Sequence, residues 1–326
     1  MTSMHRVAIG FDVGGTTIKA GVVASDVGGK IEIVASADVA TDALSAPSEF
    51  VELVADQCRK FCIAYPEIEA VGVGFPSCVA WEAGTVSKPP NIRWWSQDDY
   101  PLRDILCAQI GLPVSLDNDA NVAAFAELQV GVGRSLRSFL LVTLGTGVGG
   151  ALVLDRKLYR GDRGGAGEIG HMIYEPAVPP QNPMWRTGIL EAYIGRDAIV
   201  ARARQILGRV PSSALSQLGD ALDVAEIGAA ARAGDRVAVE TIIETAHIFG
   251  IGLASALALI GIEHVVVTGG IAGLPPLFYE ETLATLRQRA IPTIAERVML
   301  YRSPLGQTAG IIGAALLALS PTAASV

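Results

Sequence analysis

Phe11-Asp-Val-Gly-Gly-Thr-Thr-Ile-Lys19 and Val142-Thr-Leu-Gly-Thr-Gly-Val-Gly-Gly150 decide the fold. Each is a cluster of small, turn-forming residues between two apolar, β-rich runs: Arg6–Phe11 and Ile18–Ala24 around the first, Ser138–Leu144 and Ala151–Leu154 around the second. Sliding Phe11–Val22 onto Val142–Val153 superposes the two turns at an offset of 131 residues, close to the length of one domain. Ile31–Ala35 extends the first copy by a third strand, after the turn residues Asp26–Lys30, and Asp155–Lys157 supplies a turn after the second. Each copy is followed by helical spacing: Pro47–Tyr65, Leu102–Ile110 and Asn121–Val130 after the first, Leu190–Leu207 and others after the second. Ala70–Phe75, Pro113–Leu116 and Glu263–Thr268 read as further strands. The expectation is an α/β protein with two related domains and a cleft between them. The domains run over 1–116 with 305–326 (smaller, with a returning C-terminal helix) and over 117–304 (larger).

Half of the 326 residues are apolar and 18% are charged, which supports sizeable cores and excludes global disorder. Lys and Arg number 25 against 33 Asp and Glu, a net charge of −8 that argues against a nucleic-acid binder. Cys58, Cys62, Cys78 and Cys107 form no disulfide framework and suit reduced packing residues. The opening residues show no basic region ahead of an apolar core and cleavage site, so no export signal is expected. Ile248–Ile262 and Ala309–Leu319 are apolar but fall short of the roughly 20 residues that span a bilayer, and read as buried helices. A soluble, cytoplasmic protein without membrane attachment is expected.

Two readings stand for the first turn. Gly14 and Gly15 can present outward N–H groups as an anion cradle, with Thr16 and Thr17 adding hydroxyls, Lys19 a cation, and Asp12 a carboxylate placed to hold a metal ion through water. Otherwise it is an ordinary hairpin with a bulge. Gly145-Thr146-Gly147 begins a literal G-x-G-x-x-G, but a strand follows where a dinucleotide site needs a helix. Paired, the two turns can instead grip the phosphates of one nucleotide. Gly269-Gly270 ends the strand Val265–Thr268, either as a seat for adenine or ribose or as a tight turn.

Leu116-Asp-Asn-Asp-Ala-Asn121 marks a strand end and a helix start. One of Asp117, Asn118 and Asp119 is expected as the N-cap, and a second carboxylate there could accept a hydroxyl proton for in-line phosphoryl transfer. The glycine-rich Gly161–His171 is costly in entropy unless it binds something. Glu168 and His171 share a face if a turn forms, Glu191 sits at a helix start, and with Asn91 they could pair with sugar hydroxyls. The plainer readings are a helix-dipole partner for Glu191 and a satisfied core histidine for His171.

In this order and spacing the segments Asp12–Lys19, Pro89-Pro-Asn91, Leu116–Asn121, Leu144–Gly150, Gly161–Met172, Leu190–Gly195 and Thr268–Gly273 resemble the ROK family of sugar kinases and sugar-responsive repressors. The resemblance covers nearly the whole chain and implies the two-domain hexokinase/actin-like (ribonuclease H-like) fold. It implies a catalytic base at Asp119 and sugar contacts from Asn91, Asn118, Glu168, His171 and Glu191, with the site lined at Gly74-Phe-Pro76. Phosphate motifs fall at Asp12–Thr17 and Gly145–Gly147, and an adenosine motif at Gly269–Gly270. The implied cofactors are ATP and Mg²⁺, and relatives are often homodimers. Two departures stand out. Phe75 and Ser77 replace a small residue and a glycine of the family pattern. The stretch Pro179–Ile189, where many members carry zinc-binding cysteines, has none, so no zinc is expected and Pro179, Pro180, Pro183 and Trp185 would stiffen the loop instead. About six residues precede the first strand, so no helix-turn-helix is expected and an enzyme is favoured over a regulator; Asp119 and the two phosphate turns favour it over a non-catalytic sugar binder. The expected activity is ATP-dependent phosphorylation of a hexose 6-hydroxyl, glucose first, with N-acetylhexosamine, mannose and fructose as alternatives.

Overall fold

The computed structural model describes residues 6–15, 17–26, 29–41, 43–89, 92, 94–177, 187–210 and 212–320. In chain order they form β1 (Arg6–Val13), β2 (Thr17–Ser25), β3 (Ile31–Ala40), α1 (Pro47–Ala64), β4 (Ile68–Phe75), β5 (Val79–Ala80), β6 (Thr85–Val86), α2 (Leu102–Ile110), β7 (Val114–Asn118) and α3 (Asp119–Val130). There follow β8 (Phe139–Leu144), β9 (Val148–Leu154), β10 (Lys157–Tyr159), α4 (Glu191–Ile194), α5 (Arg196–Leu207), α6 (Val224–Arg232), α7 (Arg236–Ile260), β11 (His264–Thr268), α8 (Pro276–Arg289), α9 (Pro292–Ala295), β12 (Met299–Arg302) and α10 (Ala309–Ala318).

The duplication is written in the strand order. One sheet runs β3-β2-β1-β4-β7 and the other β10-β9-β8-β11-β12. In the first, β2 pairs antiparallel with both β1 and β3, while β1, β4 and β7 are parallel. In the second, β9 and β10 are antiparallel and β8, β11 and β12 parallel. Contacts group residues up to Ser135, Ala151–Ala166 and Thr308 onward into one unit, and Leu136–Gly150 with Gly167–Gln307 into the other. Residues 117–135 and 151–166, expected with the larger domain, are thus grouped with the first unit, because α3 packs on α10 and β4.

In the first unit, Pro47 opens α1, and Phe50, Val54, Cys58 and Phe61 recur on its buried face. Phe50, Phe75, Trp95 and Tyr100 meet there edge to face. Val79–Ala80 and Thr85–Val86 pair as the short antiparallel hairpin β5–β6. Helix α10 lies backbone to backbone on the sheet: a Cβ at Gly10 or Gly72 would collide with the main chain of Ile311 or Ala314.

In the second unit, the helical span expected over Leu190–Leu207 breaks at Gly195, whose extended backbone separates α4 from α5. The turn expected over Asp155–Lys157 is tighter. Asp155 and Arg156 both take positive φ, the twist that suits a two-residue hairpin, and Lys157 already belongs to β10. The apolar run at Ile248–Ile262 belongs to the longer α7, which is by length and composition alone able to cross a membrane. Phe249, Leu253 and Leu257 are nevertheless wholly buried within the unit, against α5, α6 and α8.

Candidate active site

Three parallel strands of the first unit end together. Asp12 on β1 lies in register with Gly74 on β4, and Gly74 with Asp117 on β7, so the first glycine turn and the acid-rich segment leave the sheet at the same carboxyl edge. The Gly14 N–H donates to the Thr17 carbonyl at 3.0 Å and closes the turn. Thr41 Oγ1 donates to the Gly15 carbonyl from behind. Lys19 stands opposite Asp12 on β2. Burial pushes the Asp12 carboxyl up to about 6, with the Lys19 charge opposing the shift. The carboxylate rests against Gly310 in the first turn of α10, where a Cβ would collide with it. Thr16 and Asn91 lie outside the described residues.

At the β7–α3 junction the N-cap is Asn118. Its Oδ1 accepts the N–H groups of Ala120 at 2.9 Å and Asn121 at 3.2 Å, and its Nδ2 donates to the Ser77 carbonyl at 3.1 Å. Asp119 is the first helical residue, half-buried, and its Oδ1 accepts the Ala120 N–H at 2.9 Å. Asp117 points the other way, into the protein. Gly74 abuts this helix start, since a Cβ there would press on Val122. Arg160, which sequence reasoning did not single out, pairs with Asp117. The two are 43 residues apart, and nothing local in either segment signals the partner.

In the second unit Gly145–Gly147 joins β8 to β9 as a hairpin turn closed by Gly145 N–H to Gly147 O at 3.0 Å, and no helix follows it. Glu191 reaches this turn: its Oε2 accepts the Val148 N–H at 2.8 Å, and a Cβ on Gly147 would strike that oxygen. The Arg196 N–H donates to the Gly145 carbonyl at 3.0 Å, so the start of α5 braces the turn, and Thr146 packs against Gly195. Gly269 has φ 94°, and a Cβ there would collide with the Leu144 backbone. The Gly269–Gly270 pair therefore sits beside the residue that opens the turn. A single 3₁₀ turn, Ile169–His171, brings His171 Nε2 to 4.0 Å from Glu168 Oε2. Burial raises the Glu168 carboxyl above its ordinary range; the His171 ring opposes this and Glu191 adds to it.

Among the described residues no group of three or more His, Cys, Asp and Glu is placed to hold a metal ion by itself. Mg²⁺ in phosphoryl transfer can instead be held by one or two carboxylates, waters and the substrate phosphates, and the Asp12 carboxylate is the residue expected from sequence for that part. The stretch 178–186, which includes most of the segment where the zinc cysteines of relatives would fall, lies outside the described residues.

A model of the ROK family matches residues 8–320. The chain belongs to the ROK family. This ROK chain is 34% identical to the glucokinase of Streptomyces coelicolor over 325 residues, covering 97% of itself and 98% of that relative. A crystal structure of a ROK family glucokinase from Streptomyces griseus, in complex with glucose and AMPPNP, is 33% identical, with TM-score 0.82 over 96% of this chain and 99% of that one. The xylose repressor of Caldicellulosiruptor bescii matches over 257 residues at 28% identity, 78% of this ROK chain and 63% of the repressor. The two-domain hexokinase/actin-like fold expected from sequence is the fold of this family.

Proposed function

We propose that this chain transfers the γ-phosphoryl group of ATP to the 6-hydroxyl of glucose, with Asp119 as general base. The chain is an ATP-dependent sugar kinase, and the proposal narrows that class to one acceptor and one proton-accepting residue. The observation that carries it is the placement of Asp119. It opens α3, held in place by the Asn118 cap, at the sheet edge where Asp12 and the first glycine turn emerge. A carboxylate so placed takes the hydroxyl proton as the oxygen attacks phosphorus in line and ADP leaves with the bridging electron pair.

Asn118, Glu168, His171 and Glu191 would hold the remaining sugar hydroxyls, carboxylates accepting and the amide and imidazole pairing both ways. Gly14, Gly15, Thr17 and Lys19 would serve the phosphates, and Gly145–Gly147 with Gly269–Gly270 the nucleotide. When bound, Mg²⁺ near Asp12 would offset the charge of the phosphate oxygens.

The test is ADP release measured by a coupled assay across glucose, mannose, fructose and N-acetylated hexosamines, with Asp119→Asn as control. Glucose should give the highest kcat/KM, and Asp119→Asn should fold normally while losing about 10²- to 10⁴-fold in kcat. Near-normal turnover by the variant removes Asp119 from the role, and a higher kcat/KM for another hexose replaces glucose as the acceptor.

A further inference from the structure

Arg160 follows β10 and opens the glycine-rich loop. Its Nε and Nη2 each lie 2.7 Å from Asp117 Oδ2, and its guanidinium covers the Trp81 ring at 4.6 Å from the centroid. The pair is buried: Asp117 is 1% exposed and the Arg160 side chain 15%. Asp117 Oδ1 accepts the Asn118 N–H and the Asn121 Nδ2–H, both at 2.8 Å. Asn121 Oδ1 is buried without a donor, so the bond to Asp117 alone fixes that amide. The Arg160 main chain acts too, its carbonyl accepting the Ala166 N–H at 3.2 Å and closing the loop over 161–165. Inside that loop Gly164, at φ 78°, sits directly on the Val79 backbone.

We propose that Arg160 is a positioning residue for phosphoryl transfer. By holding Asp117 in one orientation, its guanidinium fixes the turn through which Asn118 and Asp119 enter α3. The same residue's backbone anchors the loop that runs on to Glu168. The proposal rests on the reading of Asp119 as the base.

The physical case is the orientation of Asp117. A buried carboxylate is stable only when paired, and here the pair is completed by a planar cation fixed on both an acid and an aromatic face. Without that cation Asp117 Oδ2 is left buried without its partner, and the side chain turns toward another donor or draws in water. In either case Oδ1 no longer holds both the Asn118 N–H and the Asn121 amide as it does now. The Asn118 cap on Ala120 and Asn121 then loosens, and with it the direction of Asp119.

Arg160→Met keeps the bulk against Trp81 and removes the charge, while Arg160→Lys keeps the charge and loses the planar fork. In Arg160→Met, kcat should fall about 10- to 100-fold with KM for ATP within about threefold, the cost of a misdirected group rather than of lost ATP binding. Arg160→Lys should fall between Arg160→Met and wild type. Combined with Asp119→Asn, Arg160→Met should cost less than about threefold more, because both act on one event. A kcat within threefold of wild type, or a full multiplicative loss in the Asp119→Asn background, overturns the proposal. If Arg160→Met does not fold, Arg160→Lys replaces it, with kcat expected to fall more than threefold and the same quickened exchange over residues 117–121. Amide hydrogen exchange over residues 117–121 is read in parallel and should quicken in Arg160→Met; unchanged protection there also overturns the proposal. Failure of wild-type protein to release ADP with any sugar refutes the functional reading instead, and the exchange measurement then decides the positioning role alone.

Discussion

Protonation of Asp12 bears on the stability of the ligand-free protein. Its carboxyl ionises near 3.8 when exposed and near 6 in the fold, because burial outweighs the attraction of Lys19. The folded state therefore prefers the neutral acid. Its contribution is fully present below pH 4 and is lost as pH rises through 6, amounting to about 3 kcal/mol across that window. Asp12→Asn has no proton to lose. Thermal melts of ligand-free protein between pH 4 and 8 should show the variant gaining on wild type as pH rises through 6, then running parallel above 7. A constant offset between the two curves would mean that Asp12 is ionised throughout. Glu168 is shifted in the same direction. Glucose affinity should accordingly weaken as pH falls through a value above that of an ordinary glutamate, and Glu168→Gln should flatten that dependence in calorimetric titrations.

Helix α10 shows how an element far along the chain can serve a residue near its start. Gly310 gives the Asp12 carboxylate its seat, and Gly313 lets the helix touch the backbone of α3 at Val122, one turn from Asp119. A methyl at Gly310 meets a side chain, not main chain, so the protein should tolerate Gly310→Ala by moving Asp12. The expected result is a fall in kcat of about 10-fold or more with glucose affinity unchanged. A loss of turnover that only follows a lowered melting temperature, with Asp12 unmoved in a crystal structure of the variant, would contradict it. At this scale much was legible beforehand. Turn residues and apolar, β-rich runs placed β1, β2, β8 and β9, and helical spacing placed α1 and α2, because those signals are local. The three-residue spacing of Glu168 and His171 put them on one face only if a turn formed, and the 3₁₀ turn Ile169–His171 supplies it. The break at Gly195 was not legible, since one glycine inside a helical pattern is ordinarily tolerated. Nor were the Asp117–Arg160 pair and the contact of Gly310 with Asp12, which join segments distant in sequence and leave no periodic trace. Glu191 looked like a sugar ligand or a helix-dipole partner, and its bond to the Val148 N–H belongs to neither expectation.

The whole chain crosses between its two units several times, and its last described helix returns to the first. Ala8, Val23 and Ala70 on one face of the first sheet are buried with Ile311, Ala315 and Leu319. A chain ending at Gln307 would leave that face bare and both Gly10 and Gly72 without the backbone they adjoin. Such a truncation should prevent the first unit from folding, seen as loss of β-sheet circular dichroism and early proteolysis before Ser135. A protease-resistant first unit in the truncated protein would show that α10 is dispensable. The duplication was readable from sequence because two turns repeat at one offset. The assignment of 117–135 and 151–166 to the first unit was not, because it depends on which helix covers which sheet.

Trp81 lies face to face with the guanidinium of Arg160, whereas Trp94 and Trp95 are in ring contact with each other and with Phe50. The molecule thereby carries its own optical probe. With the other indoles replaced by phenylalanine, emission from Trp81 reports the presence of a cation on its face, and so reads, in real time and without added label, whether the acid-rich turn is clamped or released.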